Sequence, residues 1–224
     1  MERYKNVYVL GTSHVSRKSV QEVENVIKKI RPAIVAVELD SMRYASLMSK
    51  KKQKMSTKRA IKEWGIKGYL FNRVGAWAEE RLGKIVATPP GSEMKKAIET
   101  AQSMKIPVIC IDQDINITLR KLSARLTWGE KMRFLKEILL GFLISGKKQK
   151  EELKRVPSKT LVKEVIEKVK RDFPSIYRTV ITERDEIMAQ KVRSLAEKRE
   201  GPIVAIVGAG HERGIMKKLR VEKR

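Results

Sequence analysis

The chain has two histidines, and both close the same pattern, an apolar run followed by Gly-x-x-His: YVLGTSH ends in His14 and AIVGAGH ends in His211. A glycine lets the chain turn sharply off a strand, so each imidazole is expected to project over a strand's end. Two further apolar runs end in acid, with Glu38 and Asp40 after AIVAV and Asp112 and Asp114 after PVICI. In parallel α/β sheets ligands bind in the crevice outside the carboxyl ends of the strands, so this shared placement turns scattered residues into one candidate site. Neutral imidazoles with carboxylates suit Zn²⁺, Mn²⁺, Co²⁺ or Fe²⁺ and leave a coordination position for water. Water held there would have its pKa lowered toward neutrality and could attack a carbonyl, with Glu38 as the base. These residues alone predict a metal-assisted hydrolase.

The elements that must position them follow from hydrophobic spacing. Residues 6–10 (NVYVL), 33–39 (AIVAVEL), 107–111 (PVICI) and 202–207 (PIVAIV) are apolar, β-branched runs that predict strands. Between the first two, Ser16 or Ser19 can cap a helix, Ser19 forming a capping box with Glu22. Val20, Val23, Val26, Ile27 and Ile30 then recur at helical spacing until Pro32. The result is a βαβ unit, hence a parallel sheet and a right-handed crossover. Further helices are expected over 64–83, with Trp64, Tyr69, Leu70, Val74, Trp77 and Leu82 on one face, and over 92–105. From 115 to 200 only helical periodicity is found, punctuated by Gly129, Gly146, Pro157 and Pro174, which predicts a large helical insertion or lid before the last strand. The fold class is α/β: a mostly parallel sheet flanked by helices, in a single domain spanning 1–224.

The 224 residues carry 50 Lys and Arg against 26 Asp and Glu, a formal charge of +24, and 42% of them are hydrophobic, enough for one sizeable core. A single cysteine, Cys110, excludes a disulfide or a cysteine-based zinc or iron–sulfur site within the chain, and reads as a small buried hydrophobe. Two histidines exclude a His₃ site. No signal peptide is read at the start, and the longest apolar stretch, 134–144, is interrupted by Lys136 and Glu137 and too short to span a bilayer, so a soluble chain is expected. Lys50, Lys51, Lys52, Lys54, Lys58 and Arg59 form a solvated basic loop. Nucleic acid is not an expected partner, because aromatics are only 5% and elsewhere the basic residues are interleaved with acids. GAGHERG is spaced G-x-G-x-x-x-G, which does not make a dinucleotide loop. Glu183, Arg184 and Asp185, in ITERDEIMAQKV, read by themselves as a surface ion-pair ladder.

Several motifs together resemble the TraB (pheromone-shutdown) family. GTSHVSRKSVQEVENVIKKIRPAIVAVELDSMRY is similar to its opening, GSEMKKAIETAQ and ICIDQDINITLRK to its middle, and ITERDEIMAQKV with VAIVGAGHERGI to its end. The match runs from about Tyr8 to Ile215 in the family's order. Gln113 departs from it, standing where the family commonly has a basic residue between two aspartates. The resemblance implies a wider superfamily of Gly-x-x-His proteins that includes the Tiki metalloproteases, the erythromycin esterases and the ChaN-like proteins. Residue by residue it points to His14, Glu38, Arg43, Glu93, Asp112, Arg120, Glu183, Arg184, Asp185 and His211.

The expected function is therefore a metal-dependent hydrolase, foremost a peptidase, using a divalent Mn, Co or Zn ion. His14 and His211 would be ligands with Glu93 or Asp112, and Glu38 the base or a further ligand. Arg43, Arg120 or Arg184 would hold a substrate carboxylate or the oxyanion. The substrate would be a peptide or small acidic compound. A non-catalytic module that sequesters a peptide or anion is the alternative, and Leu, Ile and Met within 127–200 leave homodimerisation open. The expected location is the cytoplasm. Many family members continue into hydrophobic C-terminal segments; if this chain is cut from such a protein, its basic surface would favour the cytoplasmic, anionic face of a membrane.

Overall fold

The computed structural model describes residues 1–12, 17–49, 57–66, 68, 69, 73, 91–130, 132, 133, 136 and 159–221. All four expected runs are strands, shifted by one or two residues: β2 (Val7–Thr12), β3 (Ile34–Val37), β4 (Val108–Cys110) and β5 (Ile203–Gly208). A fifth, β1 (Glu2–Tyr4), pairs antiparallel with β2 across a two-residue turn in which Lys5 adopts φ 50°. Its sequence ERY is too short and polar to register as a strand.

Strand order is β1-β2-β5-β3-β4, with every pair after the first parallel. The last strand in sequence thus fills the centre and separates the two strands of the expected βαβ unit. β3 and β5 are buried at every position, as strands covered on both faces must be. Each large aliphatic residue buried there contributes about 1.5–3 kcal/mol. β4 is the far edge, and its Cys110 is only partly buried rather than a core residue.

Helices cover both faces. α1 (Arg17–Ile30) brings Val23 and Ile27, and α3 (Ser92–Ser103) brings Met94, Ala97, Ile98 and Ala101, against Leu10, Val35, Val37, Val204 and Ile206. On the other face α7 (Glu183–Lys198) and α8 (Ala209–Arg220) bury Met188, Ala189, Val192, Ile215, Met216 and Leu219 against Val7, Val9, Ile34, Ala36, Ile203, Ala205 and Val207. α2 (Ser41–Met48) follows β3 and α4 (Ile115–Arg125) follows β4. α5 (Lys159–Asp172), α6 (Pro174–Tyr177) and a π-helical turn (Arg178–Thr182) lead into α7. The described part of 115–200 is helical as expected, but its last member is a structural layer on the sheet rather than a lid. Residues 57–66 are helical, and Ala60 and Trp64 pack on Leu119. Lys58 and Arg59, expected in a solvated loop, belong to this helix, where Arg59 pairs with Glu63 one turn on; most of the 64–83 helix and the rest of the basic segment, 50–56, lie outside the described residues.

Candidate active site at the carboxyl edge of the sheet

The register brings the strand ends level. Thr12 of β2 lies beside Gly208 of β5, and Val37 of β3 lies beside Ile206 on one side and Cys110 on the other. Hydrogen bonding continues past the strands: the Glu38 N–H donates to Ile206 O (3.0 Å) and the Asp112 N–H to Leu39 O (3.2 Å). Glu38 and Asp112 therefore leave the sheet as neighbours, and His211 follows in the first turn of α8. His14, two residues beyond Thr12, lies outside the described residues.

The acidic pairs divide between two tasks. Asp40 caps α2, its Oδ1 accepting from Arg43 N (2.8 Å), and Asp114 caps α4, accepting from Asn116 N (2.7 Å). Glu38 and Asp112 instead converge on Arg184, which α7 delivers. Its Nη2 donates to Glu38 Oε1 (2.5 Å) and Asp112 Oδ2 (2.6 Å), and its Nε to Asp112 Oδ1 (2.9 Å). Nη1 donates to Val180 O (3.1 Å) and faces His211 Nε2 at 3.1 Å. Val180 sits in the π-helical turn, where backbone bonds reach one residue further than in an α-helix. A guanidinium has five N–H donors, and all five are engaged. Burial works against the Arg184 charge, but Glu38 and Asp112 outweigh it and push its pKa further up.

His211 is held from both sides. Its Nδ1 lies 2.6 Å from Asp185 Oδ1, and its Nε2 faces Arg184 Nη1 and, at 3.4 Å, Glu38 Oε1. The Asp185 carboxylate accepts at Nδ1, and Arg184, nearer to Nε2 than the Glu38 carboxylate is, can only donate, so the closest partner on each side assigns the proton to Nδ1 and the lone pair to Nε2. Burial raises the Asp185 carboxyl against the opposing pull of the His211 bond. The second Glu38 oxygen accepts the Gly208 N–H (2.6 Å) at the start of α8, where backbone donors favour an anion. Lys191, two turns beyond Arg184 on α7, donates to the Asp112 carbonyl (2.7 Å). Sequence reasoning passed over it, although its i+7 spacing from Arg184 puts both on one helix face.

The glycines of the Gly-x-x-His pattern have a different role from the expected sharp turn. Gly208 has φ −63° and ψ 146°, open to any residue, and Gly11 is still within β2. A Cβ on Gly11 would overlap the Glu212 side chain, and one on Gly214 would overlap the Asp185 carboxylate. Gly11 and Gly214 thus permit close approach of α8 to β2 and to α7.

The other expected site residues fall in different places. Arg43 reaches Asp112 Oδ2 at 3.3 Å with 42% of its side chain exposed, poised at the rim of the buried cluster. Glu93 is buried in the first turn of α3, on the side of the sheet where the strands end. Arg120 is exposed on α4 and makes none of the cluster's hydrogen bonds among the described residues. Gln113 donates from Nε2 to Thr118 Oγ1 (2.8 Å). Glu183 is turned away from its two neighbours in sequence and pairs with Lys121 (3.0 Å), Arg125 and Arg178 (3.6 Å). The surface-ladder reading of 183–185 therefore holds in kind for Glu183 alone.

Burial opposes ionisation of Glu183, but Lys121 and Arg125 prevail and hold its carboxyl below the ordinary 4.5. A lowered folded-state pKa contributes stability that is full above pH 4.5 and is lost as pH falls through the lowered value. Glu183→Gln is accordingly expected to cost up to about 1 kcal/mol at neutral pH and nothing in strong acid. Urea midpoints of both proteins across that range test this, and parallel pH profiles would count against it.

The kinds of donor present fit a divalent ion. Asp185 fixes the His211 ring so that Nε2 offers its lone pair, the arrangement found around metal-ligating imidazoles. The buried Glu38 and Asp112 carboxylates point to a common spot beside it. That spot is filled by Arg184, and among the described residues no three His, Cys, Asp or Glu side chains are disposed to hold a metal together.

A mostly parallel α/β domain with a buried carboxylate–arginine–imidazole cluster at the strands' carboxyl edge is the class defined by fold and site. The chain belongs to the TraB/PrgY/gumN family, whose model matches residues 2–223. It is similar to an uncharacterized protein of Methanocaldococcus jannaschii, 36% identical over 218 residues, which cover 96% of this chain and 53% of the relative. It is also similar to the human TraB domain-containing protein, 27% identical, over 94% of this chain and 62% of the relative. The mouse TraB domain-containing protein is 26% identical over the same shares. The chain thus spans between half and two thirds of the length of the curated relatives it matches. Among the described residues, no helix is long and apolar enough to cross a membrane.

Proposed function

We propose that this domain is a metal-dependent hydrolase of the Gly-x-x-His type, acting on a peptide or another small acidic acyl compound. The observation that carries the reading is the Asp185–His211 pair, which fixes the imidazole through Nδ1 and turns Nε2 toward Glu38 on the carboxyl edge. His211 and Asp112, with His14 and Glu93 as the sequence suggests, would hold a manganese, cobalt or zinc ion. When bound, such an ion supplies Lewis acidity and lowers the pKa of water toward neutrality. Glu38 then accepts the proton of the attacking water, its second oxygen steadied by the Gly208 N–H. Asp185 holds the imidazole in one tautomer throughout. Arg43, with its guanidinium at the rim, receives the substrate's carboxylate or carbonyl oxygen.

A sequestering module is the second reading, favoured by the fully engaged Arg184, which has no donor free for a reacting group. Titration with Mn²⁺, Co²⁺ and Zn²⁺ of the wild type beside His14→Ala/His211→Ala, followed by a peptide library, separates the two. Stoichiometric binding by the wild type alone, with cleavage falling roughly 10²–10⁴-fold in the double variant, is the expected result. Equal metal content in both proteins would remove the metal centre. Binding of peptides that survives chelation without any cleavage would establish the sequestering reading instead.

A further inference from the structure

We infer that β4 is an interaction surface for a second copy of this chain, and that two β4 edges pair antiparallel about a two-fold axis at Ile109, joining two sheets into one. Among the described residues β4 is the outer strand of the sheet, bonded on one side only, to β3. The Val35 N–H donates to Pro107 O and the Ile111 N–H to Val37 O, so residues 107, 109 and 111 turn their backbone groups inward. By the two-residue period of a strand, Val108 and Cys110 turn theirs outward. The open stretch ends there, because the Ile106 N–H is taken by Ala101 O (2.8 Å) and the Asp112 N–H by Leu39 O (3.2 Å). Between them Ile109 is 37% exposed. An outer strand is ordinarily guarded by charge. The opposite edge, β1, has that guard in Glu2 and Arg3, whereas residues 106–111 (IPVICI) carry no charge.

The outward groups, an N–H and a C=O on each of Val108 and Cys110, complement themselves. With Ile109 facing Ile109 of the second copy across the axis, Val108 lies opposite Cys110 of the second copy, and Cys110 opposite its Val108. Each such pair exchanges two hydrogen bonds, so every open group on both edges is used. A register shifted by two residues would set one of them against Ile106 or Asp112, whose N–H groups are already engaged. The exposed Ile109 side chains then meet on one face, about 4.5–5.5 Å apart at Cβ. Charge favours the same direction. Lys105 before one strand comes beside Asp114 after the other, where a parallel pair would set like beside like. The contact is one patch used twice, as a two-fold axis requires. It would also steady the strand that delivers Asp112 to the buried cluster.

So short a contact predicts a weak, reversible dimer. The test is sedimentation velocity of the full chain from micromolar concentration up to about 1 mM, in salt of about 0.15 M so that the +24 charge is screened beyond about 8 Å. Ile109→Lys sets two like charges face to face at the axis, and its circular dichroism shows whether it is folded. The expected result is a wild-type dimer whose dissociation constant rises at least about tenfold in Ile109→Lys. A second measurement reads the register. Ile109→Cys, with the native cysteine removed by Cys110→Ser, places two thiols about 4.5 Å apart at Cα, within the span of a disulfide. Mild oxidation should yield a covalent dimer of that variant, while Ile117→Cys in the same background, on the exposed side of α4, stays monomeric. If Ile109→Lys is recovered only unfolded, the cross-link carries the comparison. A wild type that remains monomeric throughout would overturn the inference, whether another segment of the chain or nothing at all covers β4. A dimer that Ile109→Lys leaves equally tight, or equal cross-linking at 109 and 117, would overturn it too.

Discussion

Without added metal, Arg184→Met is expected to destabilise the protein by about 3–5 kcal/mol, the characteristic cost of removing one member of a buried charge cluster. Glu38 and Asp112 would remain in the interior with no counter-charge, and Val180 O and His211 Nε2 would each lose a donor. A surface pair, by contrast, is worth about 0–1 kcal/mol, the range expected for Arg59 with Glu63 on its exposed helix. Chemical denaturation at neutral pH measures the difference, and a loss below about 1 kcal/mol would show that water reaches the carboxylates after all. Adding Glu38→Gln to Arg184→Met should cost less than the sum of the single changes, because one of the two stranded charges is then gone.

Gly214→Ala is the second large effect, and its sign is the informative part. Glycine inside a helix is ordinarily less favourable than alanine by about 0.8–1.0 kcal/mol, so the change would normally stabilise α8. Here the new Cβ would overlap the Asp185 carboxylate, which bonds His211 Nδ1. Either α8 moves off α7 or Asp185 leaves His211, and overpacking of this kind costs about 1–3 kcal/mol. The expected outcome is a net loss of stability together with a changed His211 ring ¹⁵N spectrum, reporting loss of the fixed tautomer. Gly129→Ala is the control, since a Cβ there meets nothing within 4 Å. A stabilised Gly214→Ala protein with an unaltered His211 signal would show that the two helices have slack.

Much of the site is legible in the chain because it sits at junctions that hydrophobic patterning marks by itself. Glu38 and Asp112 each follow a run of β-branched residues, and the carboxyl ends of parallel strands share an edge whatever their order. His211 is legible for the same reason. The division of labour within each acidic pair is not. Asp40 and Asp114 have the same residue type and similar neighbours, yet each turns to cap the helix that starts after it, and only backbone geometry decides that. The ERD sequence behaves likewise. Successive residues on a helix diverge by about 100°, so Glu183 meets Lys121 and Arg125 while Arg184 and Asp185 face the sheet's edge. Arg120 shows the reverse case, placed in the site by family resemblance and exposed on α4 in the fold.

By itself, the sequence determined the α/β class, four of the five strands and the edge on which the chemistry would gather. Local apolar periodicity and the behaviour of strand ends require no long-range information. Only tertiary structure decided that β5 lies beside both β2 and β3, that Gly11 and Gly214 serve close packing, and that a buried arginine 146 residues from Glu38 fills the centre of the site. Those facts depend on which helix face meets which strand end, a relation between distant segments that the spacing within any one of them does not encode.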